Sequence, residues 1–276
     1  MNKKFSVFLA TCFGISLLSA GLFHLLGGTN NSGIGMLFGS GYMLLPLISV
    51  LLTQMICGER LLSGCGVSFK VNRWWFVAWF GFLLFPFIAT LASALIPGVG
   101  ITLESDLMRQ SVESFSAKGV PIGPWGIIAI TLGSGLFAGA TINAVFAFGE
   151  EIAWRGFLVR VLEDLGFWKK SILIGVIWGL WHAPFILMGH NYPAHPVAGV
   201  FMMIVFCALL SPIMVHIRER SKSVIAAAIA HGTMNATAGI SLILLTGGND
   251  LLCGPCGLAG MIVLLVCDII IFMLRK

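Results

Sequence analysis

The sequence predicts an all-α polytopic membrane protein with about eight transmembrane helices. Hydrophobic residues make up 58% of the 276 residues. Charged residues make up only 10%, whereas soluble proteins average about 25%. The apolar residues are gathered in runs long enough to cross a bilayer, and most charges lie in the short segments between these runs. The composition therefore excludes an ordinary soluble domain.

Eight apolar runs are candidates for spanning helices, by length and hydrophobicity. They cover residues 5–27, 35–57, 74–97, 124–148, 171–188, 197–216, 224–246 and 257–274. No polar stretch is long enough for a separate soluble domain, so residues 1–276 are predicted to form one transmembrane domain. The first run also resembles a secretory signal, but it continues past the poor cleavage site at Leu18–Gly21, which favours a retained helix.

The basic residues are distributed asymmetrically between alternate connecting segments. Of the 16 lysines and arginines, 14 lie in one set of segments, and only Arg109 and Lys118 lie in the other. The positive-inside rule then predicts eight spans with both termini in the cytoplasm, and a location in the plasma membrane if the source is prokaryotic. The net charge of +5 is thus explained by the basic residues that determine membrane topology. The predicted partner is the lipid bilayer, and no nucleic acid is predicted to bind.

Two loops of the predicted outer side are distinctive. The largest polar insertion, about 98–123, has mixed charges and is compatible with a short amphipathic helix. The "CGPC" motif at Cys253–Cys256 resembles a redox motif, but it lacks the strand-to-helix context that such motifs need. A loop-closing disulfide or an accidental pair is therefore the preferred interpretation.

Ionisable residues inside spanning helices are costly and are candidates for function. His24 and His216 lie near helix ends, where the side chain can reach the interface. Asp268 lies deeper, in the last run, and the sequence assigns it no role. The remaining candidates are Glu150, Glu151, His182 and His231, with Asn235 one turn beyond His231 on the same helical face.

The depths of these candidates permit them to meet in one pocket. At 1.5 Å per residue, Glu150 lies about 7 Å inside Arg155, His231 about 13 Å inside Lys222, and His182 about 18 Å inside its nearest lysine. A shielded carboxylate can take a proton from water, and a histidine can orient that water or protonate a leaving amine. A second histidine and an amide can stabilise an oxyanion. The set is sufficient to hydrolyse a peptide bond without a covalent intermediate.

Two features adjoin this set. Glu151 and Arg155 are spaced i, i+4 and are expected to pair along one helical face. Two histidines and a glutamate are also a known zinc set, but no HExxH motif occurs and the ligands would come from three helices. The preferred prediction is therefore catalysis with no metal and no cofactor.

Three motifs in this order resemble the CPBP family of intramembrane proteases, which includes CAAX prenyl endopeptidases and bacterial Abi, or lysostaphin-resistance-like, proteins. The family pattern is EExxxR, then FxxxH, then HxxxN, in which a small residue can replace the asparagine. Here it corresponds to "EEIAWR" from Glu150 to Arg155, "WGLWH" from Trp178 to His182, and "HGTMN" from His231 to Asn235. The resemblance covers about 124–246, which is the predicted catalytic core. Trp178 stands where the family usually has phenylalanine.

The resemblance implies an eight-helix fold with a cytoplasm-open cavity. It implies that Glu150 and His182 activate water, and that His231 and Asn235 form the oxyanion hole. Glu151, Arg155 and Trp178 would be supporting residues. The implied mechanism depends on glutamate and uses no metal. The implied substrate is a membrane-associated protein or peptide, with or without a lipid group of the kind processed in CAAX cleavage.

Two other functions are compatible with the sequence. A non-catalytic binding or bacteriocin-immunity protein of the same family would retain the fold, although the intact motifs disfavour it. A transporter or channel could use buried histidine and glutamate as a proton relay, but the internal repeats and interrupted helix pairs typical of transporters are not evident in the sequence.

Overall fold

A computed structural model describes residues 3–28 and 32–275 as a bundle of α-helices with one two-residue strand pair. A π-helical segment, Ile152–Phe157, separates α7 from α8. The strands are β1 (Gly100–Ile101) and β2 (Leu245–Thr246). The α-helices are α1 (Lys3–Leu25), α2 (Ser32–Tyr42), α3 (Leu45–Ile56), α4 (Arg73–Ser93), α5 (Asp106–Ala117), α6 (Pro124–Leu136), α7 (Ile142–Glu151), α8 (Leu158–Val161), α9 (Phe167–Trp181), α10 (Ala183–Leu187), α11 (Pro196–Ser221), α12 (Val224–Thr237), α13 (Ile240–Leu244) and α14 (Leu258–Leu274).

Within the described residues, five helical stretches are long and apolar enough to span a membrane. They are Lys3–Leu25, Gly33–Ile56, Arg73–Ser93, Pro196–Ser221 and Val224–Leu244. Pro124–Leu136 and Leu258–Leu274 are shorter apolar helices. The prediction of an all-helical, polytopic membrane protein is confirmed. The number of long helices is smaller than the eight predicted runs.

Three predicted runs are missing from the long helices: one corresponds to α14, which has only 17 residues, and the other two are broken helices. The run 124–148 is divided between α6 and α7 by residues 137–141. The run 171–188 is divided at His182, which ends α9 two residues before Pro184. Proline lacks an amide hydrogen and crowds the preceding residue, so the helix ends here and a new one begins. Hydrophobicity alone does not locate such breaks.

The segments that carry most basic residues meet at one end of the bundle, which we call the basic end. Here Glu59, in the α3–α4 loop, forms ion pairs with Lys4 of α1 and Arg160 of α8. Glu219, near the end of α11, pairs with Lys170 of α9 and with Arg275 after α14. Five segments of the predicted inner set, those of Lys4, Glu59, Arg160 with Lys170, Glu219 and Arg275, therefore lie at the same end of the bundle.

The other loops meet at the opposite end. The two strands pair antiparallel, with Gly100 opposite Thr246 and Ile101 opposite Leu245. The polar insertion contains α5, which begins after Ser105, whose hydroxyl accepts a hydrogen bond from the Met108 amide. The loops 188–195 and 247–257 also lie at this end, joined by a hydrogen bond from the Tyr192 hydroxyl to the Cys256 carbonyl.

Close helix packing brings the three motifs together. Helix α9 packs along α11, and α12 packs against α7 and α4. Glycines permit the closest approaches: a Cβ added at Gly179 would lie 2.5 Å from Ile204 Cα, and one at Gly232 would lie 2.5 Å from the Ala144 amide nitrogen. The backbones of these helices therefore lie very close together. Side chains of α7, α9 and α12 line one common space between the helices. That space contains the candidate site.

Candidate active site

The first motif lies where the helix changes its winding. Helix α7 ends at Glu151, and the next six residues form the π-helical segment Ile152–Phe157. All six are buried. Such wider turns are rare and are frequent at functional sites. The i, i+4 spacing of Glu151 and Arg155 predicted an ordinary helical face here, because residue composition gives no signal for a π turn.

Glu150 is held by two indole groups. Its Oε2 accepts a hydrogen bond from Trp178 Nε1 at 2.6 Å and a longer one from Trp154 Nε1 at 3.4 Å. The side chain is 2% exposed and lines a cavity. Oε1 has no hydrogen-bond partner among the residues described. The second oxygen is therefore available to a water molecule or a substrate.

Glu151 connects Arg155 to His231. Its Oε1 accepts a hydrogen bond from Arg155 Nη1 at 3.0 Å and contacts His231 Nδ1 at 2.9 Å. The predicted Glu151–Arg155 pair is thus present, and both side chains are fully buried. The contact with His231 was not foreseen, because the two residues are 80 positions apart. Since a carboxylate only accepts, Nδ1 of His231 carries a proton and Nε2 is left for the cavity.

Trp178 is the centre of the cluster. Its ring lies against the Arg155 guanidinium, 4.3 Å from centroid to Cζ, and 5.5 Å from the His231 ring. The carbonyl of Trp178 contacts Nδ1 of His182 at 2.9 Å. A carbonyl only accepts, so His182 is protonated at Nδ1 and presents Nε2 as its second nitrogen. Both histidines are therefore oriented by a bond at the same ring position.

A cavity of about 300 Å³ joins the motif residues. Glu150, Trp178, His182, His231 and Asn235 all line it. Asn235 is exposed within it, whereas Glu151 and Arg155 lie behind its wall. The rest of the lining is mainly aromatic or thioether in character: Tyr42, Met43, Trp181, Phe185, Met203, Phe206 and Met234. The structure thus gathers five of the seven predicted site residues around one space and places the other two in contact with them.

Some lining residues were missed by the sequence analysis. His190 and Asn191 come from loop 188–195, and Pro255 and Cys256 come from the "CGPC" motif. Asn191 has a left-handed backbone, with φ of 60°. For His190 and Asn191 the sequence signal is a histidine and an asparagine in a short loop, which is a common composition, and the "CGPC" motif gave no indication that it lines the cavity. Cys253 and Cys256 are both free thiols in this structure, which agrees with the accidental pair among the two predicted alternatives and not with the loop-closing disulfide.

The other ionisable candidates lie apart from the cavity. His216 is buried at the basic end, with Nδ1 3.0 Å from Arg275 Nη1. His24 is exposed near the end of α1. Asp268 is buried in α14, and its Oδ1 has no hydrogen-bond partner in the described part of the chain. Within residues 3–28 and 32–275, no three His, Cys, Asp or Glu side chains are grouped so that they could hold a metal ion.

Comparison with known proteins agrees with the motif geometry. Residues 132–237 match the family model for type II CAAX prenyl endopeptidase Rce1-like proteins. Over this segment the chain is similar to Rce1-like proteins. The matched segment runs from α6 to the end of α12 and contains all three motifs. The matched family model describes prenyl endopeptidases, which are proteases.

Part of the chain is also similar to the curated CAAX prenyl protease 2 of Methanococcus maripaludis. It is 30% identical over 112 residues. The match covers 40% of this chain and 35% of the relative, so about a third of that protein's length is represented. The likeness supports the family and the common core. The activity of the whole relative is a separate matter, because most of its length is unmatched.

Proposed function

We propose that this protein is an intramembrane endopeptidase that hydrolyses a peptide bond of a membrane-associated protein or peptide. The observation that carries the proposal is the convergence of Glu150, His182, His231 and Asn235 on one cavity between helices. A buried carboxylate beside two oriented imidazoles and an amide is a suitable arrangement for water activation and oxyanion stabilisation. The match of residues 132–237 to the Rce1-like family model is the independent support for proteolysis.

In the proposed reaction, Glu150 and His182 activate a water molecule. Glu150 Oε1 takes one proton, and the oxygen attacks the carbonyl carbon of the scissile bond. His182 Nε2 lies on the same cavity and positions the water, while Trp178 fixes Oε2 of the base. The proton then passes to the leaving amine as the carbon–nitrogen bond breaks. No covalent intermediate and no cofactor is required.

His231 and Asn235 stabilise the oxyanion in this proposal. The Asn235 side chain provides an N–H donor from the cavity wall. His231 Nε2 can donate only when both ring nitrogens carry protons, since Nδ1 already donates to Glu151. The role therefore requires the imidazolium, whose charge Glu151 neutralises. Arg155 in turn pairs with Glu151 and fixes the position of this carboxylate.

The proposal includes a membrane topology. Five spans would be the long apolar stretches. Three more would be formed by α6 together with α7, by α9 together with α10, and by α14, which gives eight spans in all. The basic end, with both termini, would face the cytoplasm. Residues 1–276 would form one transmembrane domain, with 124–246 as its catalytic core. This core contains the matched segment 132–237.

The function is tested by comparing new protein termini in source cells that carry wild type or Glu150→Gln. Glu163→Gln is the matched control, because Glu163 is exposed in the loop after α8. All three chains are compared at equal membrane abundance. We expect a set of termini that is present with wild type and Glu163→Gln and absent with Glu150→Gln. Identical termini in all three would favour the non-catalytic binding or immunity function.

A further inference from the structure

The cavity is closed toward the basic end by packed side chains. Beneath Glu150 lies the π-helical segment, in which Trp154, Arg155 and Phe157 have no exposed surface. The Arg155 carbonyl accepts a hydrogen bond from Arg218 Nε at 3.1 Å, which adds α11 to this layer. Among the described residues, none from the loops of the basic end lines the cavity. Water or substrate arriving there would have to displace buried core.

The cavity reaches instead to the opposite end. His190 and Asn191, in one loop of that end, line it and are exposed. Pro255 and Cys256, in a second loop, form the adjoining wall. The sequence predicted both that the cavity opens to the cytoplasm and that the basic end lies in the cytoplasm. Both cannot hold, because this cavity opens at the end opposite the basic end. The site residues lie between a sealed side and an open side.

The two loops of the open side are bound to each other. Asp250 Oδ1 contacts His195 Nδ1 at 2.6 Å, and Oδ2 accepts a hydrogen bond from the Ala194 amide at 2.8 Å. The Tyr192 hydroxyl donates to the Cys256 carbonyl at 2.7 Å. Three contacts between loops far apart in sequence hold the rim in one shape. The rim is thus a constructed boundary of the cavity.

We propose that the cavity is reached from the end opposite the basic loops, so that a substrate presents its scissile segment from that side. This inference rests on the proposed function for its substrate, but its geometry does not depend on catalysis. The cavity lining next to the site is apolar and aromatic, so the substrate residues that bind there have uncharged side chains. With the basic end in the cytoplasm, the substrate is a membrane-anchored polypeptide cut in the outer half of the bilayer. A tail attached to the cytoplasmic surface would meet the sealed side.

The test is the sidedness of thiol labelling at Ala238→Cys. Ala238 lines the cavity one turn beyond Asn235. The background replaces the four partly exposed cysteines, Cys57, Cys253, Cys256 and Cys267, with serine and retains the buried three. Membrane-impermeant maleimide is applied to right-side-out and inside-out vesicles. Asp164→Cys at the basic end and Lys118→Cys at the opposite end, both exposed positions, report which surface is outside in each preparation.

We expect Ala238→Cys to be labelled in the vesicles that label Lys118→Cys, and to be protected in those that label Asp164→Cys. Labelling with Asp164→Cys, or in neither preparation, would overturn the proposal. If Ala238→Cys fails to accumulate, native Cys256 serves as the reporter, by comparing wild type with Cys256→Ser under the same reagent. An absence of proteolysis would leave the labelling pattern unchanged, so the failure of the proposed function is distinguishable from the failure of this inference.

Discussion

The indole N–H of Trp178 donates to Glu150 Oε2 at 2.6 Å, which fixes the proposed base from a neighbouring helix. In the family that the motifs resemble, this position usually holds phenylalanine, which has no hydrogen-bond donor. The aromatic ring also lies against Arg155, an interaction that phenylalanine can retain. The two contributions of Trp178 are therefore separable by substitution.

We expect Trp178→Phe to lower the rate of cleavage about 10- to 100-fold, because a hydrogen bond to a charged group contributes about 1.5–3 kcal/mol. The measurement is the initial rate on the substrate identified from cellular termini. Trp181→Phe is the matched control, since Trp181 Nε1 donates to Ser16 and not to Glu150. Equal rates for wild type and Trp178→Phe would show that this hydrogen bond does not position the base.

The two adjacent glutamates should differ in their effect on folding. Glu151→Gln removes the charge that pairs with fully buried Arg155, and breaking a buried ion pair costs about 3–5 kcal/mol. Glu150 has no such cationic partner at hydrogen-bond distance, so Glu150→Gln should leave the unfolding temperature close to wild type. Thermal unfolding in detergent compares the two variants. A larger loss of stability in Glu150→Gln would contradict this division of roles.

The ion pairs of Glu59 predict a pH dependence of stability. Hydrogen bonds from Arg160 lower the pKa of Glu59 from 4.5 to about 2. Partial burial opposes this shift, and the contact with Lys4 adds to it. A carboxyl group with a lowered pKa stabilises the fold above its ordinary pKa and loses this contribution as the pH falls through the folded value. Wild type should therefore exceed Glu59→Gln in stability at neutral pH. The difference should narrow between pH 4.5 and about 2.

Thermal unfolding of both chains across this range is the measurement, with exposed Glu163→Gln as the control for loss of a glutamate. A difference between wild type and Glu59→Gln that stays constant down to the lowest pH would show that the charge of Glu59 does not stabilise the basic end.

Gly179 should accept a side chain only at a cost in stability. It lies where α9 meets α11, and an added Cβ would be 2.5 Å from Ile204 Cα. Overpacking of this kind costs about 1–3 kcal/mol. We expect Gly179→Ala to unfold at a lower temperature than wild type and to cleave more slowly, because Trp178 and His182 are on the same helix end. Gly81→Ala in α4, where a Cβ meets no atom within 4 Å, is the control and should be neutral.

The sequence was sufficient to predict what depends on composition and periodicity. The apolar runs, the shared end of the basic loops and the Glu151–Arg155 pair follow from local rules about hydrophobicity, charge and helical spacing. The bond between Glu151 and His231 does not follow, because it depends on how α7 packs against α12. The π turn after Glu151 and the cavity walls at His190 and Cys256 also depend on tertiary packing.

A single oxygen, Glu151 Oε1, is bonded to both Arg155 and His231. This sharing has a consequence for the divergence of related sequences. A descendant that abandons hydrolysis can replace Glu150 or His182 at small cost to folding, but replacement of Glu151 leaves a buried guanidinium without its counter-charge. We therefore expect inactive descendants to retain the second glutamate and the arginine after the first glutamate has drifted. The pattern xExxxR in a protein without protease activity would then indicate that it descends from an active protease.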